Sequence, residues 1–384
     1  MTIKYRELRR RYELDGPEQT TTHLSEALCS GDLKAEDFSL RDLAEGLVPD
    51  GHEWVRSLDP RSGSGAQLTE AADGVDVTAF LNITGQVIYS KIMESYQQEA
   101  FIVSKLVETI PTRLDGEKIP GISRVPDEVE EVHPGMPYPH LGFGEDYIET
   151  PSTSKHGFIV PVTKEAIFFD RTHLILSRAA EVGEVLGLNK EKRLIDLLIG
   201  AENNYNWKGT AYDTYQTSAP WINELSSNEL VDWTDVDAAE HLFSDILDPN
   251  TSEPILVQPN TVLVSPAYRQ AAHRVFQASE LTLASGFGAT MFANPLSGYR
   301  VENSGLMYRR IIASGESAAN AKKWWFIGDL RRALAYMENW PITVTQSPVG
   351  SEADFSSDIV VRFKASERGA AAVINPRYLV KSTG

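Results

Sequence analysis

Apolar positions recur most persistently between residues 158 and 205. Phe158, Ile159, Val160 and Val162 predict a short strand, and Pro161, which has no N–H for a ladder, confines it to a sheet edge or a strand end. Asp170 is a candidate N-cap. Leu174, Ile175, Ala179, Val182 and Leu186 then follow at helical spacing, with Arg171, Arg178, Glu181 and Glu184 largely on the other side. Gly187 interrupts, Asn189 can cap a new start, and Leu194, Ile195, Leu198 and Ile199 continue the pattern until Gly200 stops it. At about 1.5 Å per residue this rod spans roughly 40 Å and needs something large to lie against.

A second helix is predicted over 77–105 from Phe80, Ile83, Val87, Ile88, Ile92, Tyr96, Phe101 and Ile102, followed by a strand over 106–111. Upstream, Leu24, Leu28, Leu33, Phe38, Leu40, Leu43 and Leu47 give short helical patterns, and DPRSGSG at 59–65 has a linker composition. That segment is too thin in apolar residues for its own core, so it is expected to be held against another part. Beyond the rod, helices are predicted over 234–247 from a Thr234 cap and after Ser265–Pro266, with proline in the first turn. Strands are predicted over 261–265, 323–328, 333–339, 342–346, 358–365 and 369–374, while 281–299 is glycine-rich and weakly patterned. Long helices followed by strands, without regular βαβ alternation, define an α+β chain.

Residues 112–157 break every pattern. Prolines at 120, 126, 134, 137, 139 and 151 and glycines at 116, 121, 135, 142 and 144 exclude a helix, and there are too few large apolar residues for a packed sheet. Asp127, Glu128, Glu130, Glu131, Glu145, Asp146 and Glu149 outnumber Lys118 and Arg124. Loops this long without structure of their own are uncommon inside a compact domain. An acidic, extended excursion makes sense if its docking surface belongs to another subunit.

Composition narrows the function. The 384 residues are 42% hydrophobic and 23% charged, which is globular, and suffice for one large or two to three ordinary domains. A net charge of -18 argues against a surface that wraps nucleic acid. The single cysteine, Cys29, permits no intrachain disulfide. No apolar run reaches the roughly 18 residues of a transmembrane helix, so no membrane partner is expected. The basic start, with Lys4, Arg6, Arg9, Arg10 and Arg11, suits either an ordinary surface helix or contact with nucleic acid or a scaffolding partner.

Catalytic patterns are incomplete. Gly142–Phe143–Gly144 and Gly286–Phe287–Gly288 complete neither a GxGxxG turn nor a Walker loop, so backbone flexibility is the stronger reading. His133 and His140 lie near Glu130 and Glu131 but lack HExxH or CxxC geometry. His156, His173, His241 and His273 are scattered singly, and no GxSxG elbow accompanies a base. No enzyme activity, cofactor or metal is expected.

The order of elements, together with EKIPGIS at 117–123, HPGMPYPHLGFGED at 133–146, VTKEAIFFD at 162–170 and VVRFKASERGAAAVINPRYLV at 360–380, resembles the Hong Kong 97-type major capsid proteins of tailed bacteriophages from about residue 77 to the end. The resemblance implies an N-terminal arm over 1–76, an N-arm helix and the start of the P-domain over 77–111, and an E-loop over 112–158. It further implies a P-domain with its spine helix over 159–218, an A-domain over 219–339 and a return to the P-domain over 340–384. Glu117, Lys118, Arg124, Asp127, Glu128, Glu130, Glu131 and Tyr138 would then touch a neighbouring subunit, and Leu174, Ile175, Val182, Leu186, Ile195 and Leu198 would seat the spine helix. Some relatives crosslink a loop lysine to an asparagine of a neighbour; Lys118 and Asn375 match no such motif, so noncovalent assembly is expected.

The implied partners are further copies, as hexamers and pentamers of an icosahedral shell, a portal protein, scaffolding or decoration proteins, and double-stranded DNA contacted nonspecifically. The implied place is the virion, after assembly in the host cytoplasm. An encapsulin-like nanocompartment shell is the nearest alternative reading, and an uncharacterised enzyme a more distant one.

Overall fold

A computed structural model describes residues 5–48, 50–58, 75–120, 133, 147–248, 254–285, 288–347 and 358–384. The chain divides into two compact units, one of Met1–Ala100, Lys155–Asn189 and Trp340–Arg368, the other of Phe101–Ser154, Lys190–Asn339 and Gly369–Gly384. Helices and strands occur in both, as the α+β reading requires.

The first unit is built on the helix Val75–Tyr96, whose Ala79, Phe80, Ile83, Val87, Ile88 and Ile92 are buried. The predicted continuation to residue 105 fails: the helix stops at Tyr96, and a separate turn of helix spans Val103–Leu106. Four N-terminal helices, Tyr5–Asp15, Pro17–Cys29, Leu40–Leu47 and Gly51–Ser57, bury Tyr12, Leu24, Leu43, Leu47 and Val55 in the same core. This N-terminal segment is therefore held against a larger body, as its sparse apolar content demands. Polar contacts fasten it: Asn82 Nδ2 donates to Tyr12 Oη at 2.9 Å, the Leu40 amide to Thr172 Oγ1 at 2.8 Å, and Ser39 Oγ to Asp170 at 3.0 Å.

The rod is one uninterrupted helix, Thr172–Leu198. Gly187 and Asn189 do not restart it, because an interior glycine costs only about 1 kcal/mol and packing on both sides outweighs that. Asp170 lies outside the helix at φ 48° and accepts from Thr172 Oγ1 at 2.8 Å. Gly183 is where this helix meets Val75–Tyr96: an added Cβ would stand 2.2 Å from the Ile92 carbonyl oxygen. The strand Ser154–Thr163 contains Pro161 and is the outermost strand of its sheet, as a proline requires.

The second unit is organised on a five-stranded sheet in the order Arg300–Asn303, Thr261–Val264, Trp325–Gly328, Leu379–Ser382, Glu224–Leu225. Its three central strands are buried at every position, which explains their largely apolar sequences; Lys381 and Ser382 are the buried polar pair in the strand Leu379–Ser382. Proline opens the turn Pro266–Tyr268 ahead of the helix Arg269–Phe276. The helix predicted from Thr234 is Trp233–Ser244, and its cap is Asp232, reciprocated by Asp235 in a capping box. Where little was predicted, Glu280–Ser285 and Gly288–Ala293 pair as an antiparallel hairpin, and Gly305–Ala313 is a helix capped by Ser304.

Two pairs of predicted strands are single long ones, Leu334–Gln346 and Ile359–Val373. At Gly369 an added Cβ would come within 2.7 Å of the Met337 carbonyl oxygen and the Tyr336 ring, so it marks a close approach inside a strand.

Candidate functional site

Residues 112–157 have no independent core among the described residues, but both ends of the excursion are structured. Lys118–Pro120 pairs antiparallel with Tyr147–Glu149, which pairs with Tyr205–Trp207, which in turn pairs with Thr210–Tyr212. The reading of this whole segment as unstructured is therefore corrected at its base, where Ile148 is buried in the core of the second unit.

A polar lattice ties that base down. Thr112 Oγ1 donates to Glu117 Oε2 at 2.9 Å, the Glu117 amide to Thr150 Oγ1 at 2.9 Å, and the Thr153 amide to Asp115 at 2.7 Å. Asn339 Nδ2 donates to the carbonyls of Thr112 at 3.1 Å and Leu114 at 3.0 Å. Lys118 lies 3.2 Å from Glu149 and 4.2 Å from the centre of the Tyr147 ring. The hydrogen bond to Glu149 raises the Lys118 ammonium above its ordinary pKa. Glu117 and Lys118 thus serve the base of their own loop. Arg124, Asp127, Glu128, Glu130, Glu131 and Tyr138 lie outside the described residues.

Along the long helix, Ile175, Leu186, Ile195 and Leu198 are buried and Val182 packs against the first unit's core, whereas Leu174 is 41% exposed. Phe158, Ile159, Phe169 and Val185 are likewise exposed apolar residues on or beside this helix and the outer strand. Asn375 is buried, and its Oδ1 accepts from the Arg377 amide at 3.0 Å.

Several anchoring groups were not read from the sequence. Glu191, 1% exposed, accepts the amides of Ile102 at 3.0 Å, Val103 at 2.8 Å and Ser104 at 2.8 Å, and so caps the Val103–Leu106 turn. The signal was present: Glu191 falls on the apolar stripe with Leu194, Ile195 and Leu198, where a carboxylate needs a buried partner. Asp196 holds Arg310 through two contacts of 2.6 Å, joining the long helix to Gly305–Ala313.

Near Cys29, a hollow lined by Glu36, Tyr89, Lys91 and Glu94 carries a charged cluster in which Lys91 lies 2.9 Å from both Glu36 and Glu94. Burial lowers the Lys91 ammonium, but its hydrogen bonds to the two carboxylates outweigh this and leave its pKa raised. The one ammonium bridges two carboxylates, an arrangement suited to fastening elements. Among the described residues no group of three His, Cys, Asp or Glu side chains could hold a metal, and no helix is long and apolar enough to cross a membrane.

The phage capsid protein family model matches residues 147–382. The match covers the long helix, the five-stranded sheet and both long strands, and the chain belongs to this family, whose members are structural proteins rather than enzymes. Comparison with curated protein sequences returns no match. Among solved structures, the chain is similar to one from Mycobacterium phage Bobi, at 14% identity and a TM-score of 0.40, over 73% of this chain and 89% of that one. It is also similar to a capsid structure of the cyanophage P-SCSP1u, at 12% identity and a TM-score of 0.42, over 74% and 88%. A third likeness is to the holo-SrpI encapsulin complex from Synechococcus elongatus PCC 7942, at 12% identity and a TM-score of 0.42, over 74% and 89%. These likenesses are weak, and membership rests on the family match.

Proposed function

We propose that this phage capsid protein is the major head subunit, which assembles noncovalently as hexamers and pentamers of an icosahedral shell around double-stranded DNA. The family match over residues 147–382 carries this reading. Support comes from the excursion over 112–157, which is anchored at its base by paired strands and, by composition, is too acidic and proline-rich to form a core. Docking of that excursion on a neighbouring copy would place its ordering cost at assembly and leave the free subunit soluble. Exposed Phe158, Ile159, Phe169 and Leu174 offer apolar contact area to such a neighbour. Repeated heterologous contacts closed by symmetry then build a shell from one chain.

In this reading the net charge of -18 keeps packaged DNA from adhering to the wall, so contact with the genome is nonspecific and loose. A portal protein, with scaffolding or decoration proteins, would complete the head in the host cytoplasm. Expression of the full chain followed by size exclusion and electron microscopy tests the proposal. Closed shells, or rings of five and six copies, are expected; discrete monomers under all assembly conditions would overturn it, and shells that load a peptide-tagged cargo in place of DNA would assign a nanocompartment instead.

A further inference from the structure

Arg377 is fully buried, and none of Nε, Nη1 and Nη2 has a hydrogen-bond partner. Among the described residues no carboxylate is paired with it. Its guanidinium centre lies 4.6 Å from the ring centre of Trp221 and 5.4 Å from that of Trp207. The two indoles offer π-faces to the cation, but they accept none of its in-plane N–H groups. Arginine cannot escape the cost of burial by shedding its proton.

Donors without partners recur among its neighbours. Trp221 Nε1 and Asn375 Nδ2 are also buried without partners, and both are donors. The buried Thr214 Oγ1, unpartnered as well, can donate. The Asn223 side-chain Nδ2 donates to the backbone carbonyls of Thr214 at 3.0 Å, Pro376 at 2.9 Å and Leu379 at 3.1 Å. Asn223 thereby draws the Thr214 backbone and the Asn375–Arg377 turn to one point. The Asn375 side-chain oxygen is occupied by the Arg377 amide at 3.0 Å. A fixed positive charge remains buried, with unpartnered donors on Trp221, whose ring it faces, and on Asn375, two residues away.

We propose that the Arg377–Trp221–Asn375 cluster binds a small monovalent anion of the halide class as a structural counter-ion inside the second unit. A water molecule could accept two of these hydrogen bonds but would leave the charge uncompensated; a halide ion accepts from several donors at once and neutralises it. A carboxylate from another chain could not reach a side chain with no exposed surface. The inference is independent of shell assembly.

The test uses the full-length chain at constant ionic strength, with chloride exchanged against gluconate, and thermal unfolding as the readout. The wild type is expected to show an unfolding midpoint that rises with chloride and saturates, while Arg377→Met responds no more to chloride than to gluconate. Trp221→Phe, which removes one donor and keeps the charge, is expected to shift the chloride response to higher concentration. Crystals of the wild type grown in bromide supply a second measurement that survives failure of either variant to fold: an anomalous peak beside the Arg377 guanidinium is expected. No anomalous peak there, or a chloride response that persists in Arg377→Met, overturns the proposal.

Discussion

Replacing Glu191 tests how the long helix is tied to the start of the second unit. Its carboxylate is 1% exposed and receives three backbone amides at 3.0, 2.8 and 2.8 Å. A hydrogen bond to a charged group contributes about 1.5–3 kcal/mol, and three bonds sharing one carboxylate add up to less than three times that. Glu191→Ala leaves the amides of residues 102–104 without an acceptor and opens space beside Val103, so a loss of about 3–5 kcal/mol is expected. Glu191→Gln keeps one acceptor oxygen but turns an NH2 group toward donors, for an expected loss of about 1–3 kcal/mol. Urea unfolding of the unassembled full-length subunit measures the total, and hydrogen exchange at the amides of 102–104 localises it. If Glu191→Ala unfolds within 0.5 kcal/mol of wild type (about the spread of neutral surface changes) and those amides keep their protection, the carboxylate is not the fastener described.

Gly183→Ala should destabilise the first unit by about 1–3 kcal/mol, since the new methyl group meets backbone at Ile92 and no side-chain rotation relieves it; limited proteolysis would find the 75–96 and 172–189 segments newly susceptible. Arg310→Met should cost more than Asp196→Ala, because the first leaves a carboxylate that is 7% exposed without the cation that makes two 2.6 Å contacts to it, while the second frees a guanidinium that is 34% exposed; chemical denaturation of both variants sets the order, and the reverse order would refute it. Tyr268 donates to Glu229, and burial, followed by that hydrogen bond, raises the Tyr268 hydroxyl from 10.0 to about 12. Its contribution to stability is therefore fully present below pH 10.0 and falls as pH rises through about 12, a fall that Tyr268→Phe should remove from an alkaline unfolding series.

What was legible in the sequence followed from strong, local constraints. Pro161 could only lie in an outer strand, the unbroken apolar run of Thr261–Val264 could only be interior, and Pro266 could only sit at the opening of a turn. What was misread depended on distant partners. Gly187 looked like punctuation, and breaks were read at 340–341 and 366–368, yet all of these positions lie inside continuous elements; Gly369 is a glycine because Tyr336 and Met337 crowd it. The pairing of Glu280–Ser285 with Gly288–Ala293 escaped notice because its sequence is weakly patterned, with Leu281 buried and Met291 68% exposed. Of the candidate contact residues, Glu117 and Lys118 also have partners in their own chain that the sequence did not indicate, Thr112, Thr150 and Glu149. Arg377 had no local signature at all, since its significance lies in the two tryptophans folded against it.

The outer strand Ser154–Thr163 carries a further implication for how copies can add to one another. It presents Phe158 and Ile159 at 47% and 57% exposure on a free sheet margin, a combination that would ordinarily invite strands of other molecules to stack without limit. Pro161 removes one donor from that margin and blocks an unbroken ladder. A chain of the phage capsid family, for which open-ended stacking would be a hazard, has thereby been denied the cheaper route into fibres.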